Sequence, residues 1–398
     1  MSKKIVFCAD GTWNGPSEPD HDDKSAPPTN VFKSFLNLDG RDEPGSTLLE
    51  NEQERSLQDA NGAIAQIAKY LNGVGDSDNF LVKALGGTLG AGLITRIVRG
   101  YTFLSRNYAD GDDIFLLGFS RGAYTARALA GLVATKGLLD ARKLDLTDKE
   151  MAYRLGAAVW FQYRAAARQQ DANWLAKLED AVVDLPSFVL RPPPDDQLLK
   201  ARINTIAVWD TVGALGIPAY TAKDVRIDVF QFADTKLSPI VQRGFQAIAI
   251  DEQRADFTPT LWDDDPRIVQ VLFPGAHADV GGGYPMNNNQ SGLSDCTLKW
   301  ITDELAKLGV RFSSSLTFVP APDPKGVGHR PWDSPPWTGL PRGSRAFPAG
   351  LSLAQCVLDR MTAGAVCAAP GAVAGPYGPT NLSGYLAGSA AAPGIAVV

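Results

Sequence analysis

The sequence predicts an α/β architecture with a mostly parallel central sheet, helices on both faces and a helical insertion. Two observations carry this expectation. Short apolar runs of strand length recur and alternate with longer helix-compatible segments, the pattern of parallel strands joined by crossover helices. One of these runs, Ile114-Phe115-Leu116-Leu117, leads into Gly118-Phe119-Ser120-Arg121-Gly122, and a helix-forming run, Ala123 to Ala134, leaves it. Strand, sharp turn and helix in that order make a nucleophile elbow. Its serine sits at a strained tip, and glycines two before and two after let strand and helix approach without a Cβ clash.

In chain order, Lys4 to Ala9 reads as the first strand and opens into the turn Asp10-Gly11-Thr12-Trp13. A polar loop from Gly15 to Pro28 follows, then an acidic stretch through Gln58 without a clear element. Helical patterning over 60–72 ends at Gly73-Val74-Gly75. The glycine-rich run 86–92 lacks the lysine and the strand context of a phosphate loop, and reads as a flexible or close-packed segment near the site. Residues 94–107 form the crossover helix into the elbow strand. Residues 149–179 read as helical and end at the proline-rich linker 190–195, so 140–200 is either a cap or a surface helical hairpin. Further strands are expected at 203–208, 246–250 and 268–273, and a helix at 298–308. Residues 363–398 are mostly Ala, Gly and Pro and are expected to be a flexible exposed end. The alternative is a rim element to which Trp332 and Trp337 contribute an acyl-binding surface. The expected domains are a catalytic unit over 1–310, with 140–200 as its insertion, and an extension over 311–398.

The elbow asks for a base and an orienting acid, because a serine hydroxyl is a poor nucleophile at neutral pH. Of the three histidines, His21 lies in an acidic loop and His329 near the proline-rich tail, both read as solvated. His277 follows the run 268–273 in a loop at a strand's carboxyl end and is the expected base. Asp210 ends the strand 203–208 and is the expected acid, with Asp279 as its rival. The order Ser120, Asp210, His277 is that of an α/β-hydrolase. Oxyanion donors are expected from the Arg121 amide and from Gly11 or Thr12.

These residues fall in four motifs: Phe7-Cys8-Ala9-Asp10-Gly11-Thr12-Trp13-Asn14, Gly118 to Arg127, Trp209-Asp210-Thr211-Val212-Gly213 and His277 to Tyr284. Together they resemble the α/β-hydrolase family of the type VI secretion system phospholipase effectors over residues 4 to about 285. The resemblance implies Ser120 as nucleophile, Asp210 as acid and His277 as base. It also implies cleavage of fatty-acyl esters, phospholipids in particular, and a secretion-apparatus or immunity partner. A carboxylesterase or thioesterase for small or non-phospholipid acyl groups is the alternative, since a triad does not distinguish among acyl esters.

Two readings from other classes are weaker. A dehalogenase-type phosphatase needs a nucleophilic aspartate where Cys8 stands, and a non-catalytic scaffold has no use for three triad residue types in order. The 398 residues, 44% hydrophobic and 21% charged, suit one large α/β domain with insertions or two domains. A net charge of −6 gives no basic field for nucleic acid or an anionic membrane. Four cysteines without CxxC or histidine spacing suggest neither metal nor disulfide framework, and no cofactor is expected. The apolar run at 5–9 is too short for a signal peptide, and no run approaches the roughly 20 residues of a membrane span. The expected location is the producing cell's cytoplasm, or outside it by a route without a cleaved signal.

Overall fold

The computed structural model describes residues 2–11, 27–45, 52–72, 89–167, 191–212, 235–335 and 337–382. In chain order the elements are β1 (Lys4–Ala9), α1 (Asn30–Asn37), β2 (Arg41–Asp42), β3 (Glu52–Gln58), β4 (Ile64–Leu71) and α2 (Leu89–Asn107). Then come β5 (Asp113–Phe119), α3 (Arg121–Lys136), β6 (Leu138–Leu139), α4 (Lys149–Ala167), β7 (Leu198–Leu199) and β8 (Ile203–Trp209). The series continues with β9 (Val241–Ala249), β10 (Ile268–Phe273), α5 (His277–Gly281), α6 (Gly292–Lys307), β11 (Ser352–Leu353) and α7 (Gln355–Thr362).

Among the described residues, nine strands form one sheet in the order β11-β10-β9-β8-β5-β1-β4-β3-β2. Every pairing from β11 through β4 is parallel, and β3 and β2 add an antiparallel edge. Alternate side chains of each central strand enter opposite cores. Ile5, Phe7, Ala9, Ile114 and Leu116 pack with residues of α2, α3 and α4. Val6, Cys8, Phe115, Leu117 and Phe119 pack with residues of α1, α6 and α7. Both faces are therefore covered, which is why the parallel strands read as continuous apolar runs. The fold class is the expected α/β one, with a mostly parallel sheet between helical layers.

Three sequence expectations need correction. Residues 60–72 are not helical: Ile64–Leu71 is the strand β4, parallel to β1. Ile64, Ile67, Ala68 and Leu71 have helical spacing, but Ile67 and Leu71 belong to one core and Ala68 and Tyr70 to the other. A strand buried on both faces has no need to alternate, so its period misleads. The stretch before Gln58 holds α1, capped by the Thr29 hydroxyl accepting from the Phe32 amide, and β3. Polarity concealed β3, whose Glu52 and Glu54 pair with the buried Lys69 on β4. Finally, 363–382 is not a free end. Val366 bridges Gly375, Leu382 is fully buried, and Asn381 Nδ2 donates to the Ile250 carbonyl.

The candidate insertion is closed at its base by the antiparallel pair β6 and β7. Its helix α4 lies against α2 and α3 with Trp160 buried, while 168–190 lie outside the described residues.

Candidate active site

β5 delivers Ser120 in a conformation that its side chain pays for sterically. Ser120 has φ 57° and ψ −123°, outside the regions open to ordinary L-residues. Two close approaches impose it. A Cβ on Gly118 would lie 2.4 Å from the Gly122 carbonyl oxygen, and one on Gly122 would lie 2.0 Å from the Ala9 carbonyl oxygen. The Ser120 amide donates to the Trp209 carbonyl at 3.1 Å, tying the elbow to the neighbouring strand β8. This is the local geometry of a nucleophile elbow, reached because the glycines let α3 start directly against β1 and β5.

β8 ends one residue before Asp210, which is fully buried and also has positive φ, 39°. Beyond β10, a short turn leads to His277, the first residue of α5, 5% exposed. The sheet brings the two together, with His277 Nδ1 2.5 Å from Asp210 Oδ2. With the carboxylate accepting at Nδ1, the neutral imidazole presents an unprotonated Nε2, which is buried and without a hydrogen-bond partner among the described residues. Ser120, Asp210 and His277 all follow carboxyl ends of parallel strands, those of β5, β8 and β10. The Phe119 ring lies 4.6 Å from the imidazole and the Phe257 ring 4.9 Å from it, edge-on. Burial pushes the His277 pKa below the usual imidazole value against the opposing pull of Asp210.

The electrostatics of Asp210 include a residue that the sequence did not point to. Arg345 grips both carboxylate oxygens, Nη1 to Oδ1 at 2.7 Å and Nη2 to Oδ2 at 2.9 Å, with its side chain nearly buried. The Ala249 amide also donates to Oδ1, at 2.9 Å. Burial alone would raise the Asp210 pKa. The Arg345 charge, together with the His277 contact, outweighs it and holds the carboxyl well below the usual range. Arg345 stands in the proline- and glycine-rich tail, where no periodicity or spacing marks it. Glu252 is likewise unannounced: its Oε2 accepts from the His277 amide at 3.1 Å while Arg254 holds it bidentately.

The rival acid has another partner. Asp279 Oδ2 accepts from the Ala276 and His329 amides, and Oδ1 lies 2.6 Å from His329 Nδ1. His329 is therefore not a solvated histidine, as its sequence position suggested. It is 8% exposed and stacked on Tyr284 at 3.4 Å, so it braces α5, the short helix that His277 opens. His21 lies outside the described residues. A cavity of about 420 Å³ lies beyond this brace, lined by Asp251, Asp279, His329, Arg360 and Tyr377 and not by Ser120 or Asp210.

Of the expected oxyanion donors, the Arg121 amide opens α3, where a first-turn N–H has no acceptor within the helix. The Gly11 amide donates to Asp10 Oδ1 at 2.7 Å and is occupied in this state. Thr12 lies outside the described residues. Among the described residues no cluster of side chains has the make-up of a metal site, and no helix is long and apolar enough to cross a membrane.

Comparison with known proteins gives a family. The model described as type VI secretion system phospholipase effector, Tle1-like, catalytic domain, matches residues 3–304. An uncharacterized protein of Saccharomyces cerevisiae is 23% identical over 417 residues, covering 78% of this chain and 58% of that protein. Among solved structures, an uncharacterized protein from Pseudomonas aeruginosa is 16% identical with a TM-score of 0.43, over 79% of this chain and 47% of that one. The Tle1 effector bound to the VgrG spike is 18% identical with a TM-score of 0.33, over 72% and 52%. The chain thus spans about half the length of these relatives.

Proposed function

The chain belongs to the Tle1-like phospholipase effectors of the type VI secretion system by their catalytic domain, and from that premise we propose that it is a serine hydrolase of fatty-acyl esters, acting on phospholipids. The observation that carries the reading is the strained Ser120 at the tip of β5, on the sheet edge that also holds the bonded pair His277 and Asp210. In the proposed reaction His277 Nε2 takes the Ser120 proton as Oγ attacks the ester carbonyl, and the Arg121 amide faces the oxygen on which charge develops. The alcohol leaves with that proton, and water releases the fatty acid from the acyl-enzyme. Asp210 fixes the tautomer and stabilises the imidazolium. Delivery from the producing cell by a secretion apparatus belongs to the same reading, as the family description implies.

The test is acyl-chain dependence. Burial contributes roughly 0.8 kcal/mol per CH₂, so activity should rise from acetyl to long-chain esters and extend to fatty acid release from phospholipid. Preference for acetyl esters without phospholipid cleavage would replace the phospholipase by a small-ester hydrolase.

A further inference from the structure

The elbow carries positive charge that the proposed acyl transfer does not use. Arg96, on α2, is 5% exposed. Its Nη2 donates to the Asp10 carbonyl, while Nε and Nη1 are buried without an acceptor among the described residues. The Asp10 carboxylate supports the Arg96 charge but makes no hydrogen bond to these N–H groups: Oδ1 accepts from the Gly11 amide, and Oδ2 accepts from the Thr29 and Tyr70 hydroxyls. A second guanidinium follows the nucleophile. Arg121 is half-buried, and burial first, then the charge of Arg96, brings its pKa down to about 10. Arg96 lies beside the first turn of α3, because the Asp10 carbonyl that it holds is 2.5 Å from where a Cβ on Gly122, the residue after Arg121, would stand. That turn adds the positive end of a 16-residue helix.

A buried guanidinium with free N–H groups is costly until an anion accepts from it. Its planar fork fits phosphate oxygens, and a helix N-terminus favours the same charge. We propose that Arg96 and Arg121, with the first turn of α3, form an anion subsite beside Ser120 that takes the phosphate of a lipid ester. This rests on the ester-hydrolase reading and deepens it: the subsite selects phosphate-bearing acyl esters over neutral glycerides. The net charge of −6 means that the selection is local and not an attraction of the whole surface for anionic lipid.

The test compares phosphatidylcholine with diacylglycerol of identical acyl chains in the same neutral detergent micelles. Phosphatidylcholine carries the phosphate without net charge, so surface attraction does not contribute. The wild type should prefer it by about tenfold or more in kcat/KM, the size of one charge-assisted contact. Arg96→Gln, shown folded by its melting curve, should bring that ratio towards one. A wild-type ratio near one overturns the proposal. Inorganic phosphate should compete with a p-nitrophenyl ester at constant ionic strength; competition with no lipid preference would assign the subsite to free phosphate and overturn the headgroup assignment. Should the wild type cleave no ester, the hydrolase reading fails separately. Equilibrium binding of lysophosphatidylcholine against monoacylglycerol to Ser120→Ala then decides the subsite, tighter binding of the former supporting it and equal binding overturning it.

Discussion

At the scale of single residues, the site is set by which carboxylate reaches which imidazole. Asp210 lies 2.5 Å from His277, whereas Asp279 is spent on His329 and two amides. Asp210→Asn should therefore lose far more ester turnover than Asp279→Asn, whose main effect should be a less stable histidine loop; kcat for both variants checks this. Because burial places the His277 pKa below its ordinary value, the acid limb of kcat/KM should fall below pH ~6.5, with activity lost as pH drops through it. Arg345 offsets part of the Asp210 charge. Arg345→Met should move that limb to higher pH, since the full carboxylate charge then favours the imidazolium, and should cost roughly 3–5 kcal/mol by leaving a buried charge unpaired. Arg345→Lys should restore the limb in part. An unmoved limb in Arg345→Met would mean that the arginine only fills space.

At the scale of elements, the elbow was legible because backbone strain forces residue types on the sequence. Gly118, Ser120 and Gly122 are needed where α3 meets β5 and β1. Gly122→Ala should cost at least about 3 kcal/mol, the upper range for overpacking, because its Cβ meets the main-chain oxygen of Ala9 and no side chain can swing away. A melting curve close to the wild type would show that β1 and α3 can separate freely. The strands β5, β8 and β10 were legible as apolar runs for the same reason that they are central: both faces are covered. β4 was not, since its apolar residues divide between two cores at a helical spacing, and β3 hides its place in the sheet behind ion pairs with Lys69. Arg345 and His329 were illegible for a different reason. They act through contacts with Asp210 and Asp279 across 135 and 50 positions of the chain, and nothing local in a proline- and glycine-rich segment encodes such a partner.

At the scale of the whole molecule, residues beyond the matched region 3–304 complete the core and the candidate site. β11 extends the sheet beside β10, Leu382 enters the core, and Arg345 returns to Asp210. A net charge of −6 gives no general attraction to anionic bilayers. Adsorption to anionic vesicles should therefore not weaken as salt rises, and cosedimentation over a range of ionic strength checks that; a steep loss with salt would reveal a basic face. The central claim is that one serine, activated from across the sheet edge, carries the acyl group. Fluorophosphonate labelling of the intact protein, with the adduct mapped by peptide mass spectrometry, tests it most directly. The expected result is a single adduct on Ser120, absent in Ser120→Ala and reduced at least ~10³-fold in rate in His277→Ala, while a folded wild-type protein that stays unlabelled, or carries the adduct on another residue, would contradict it.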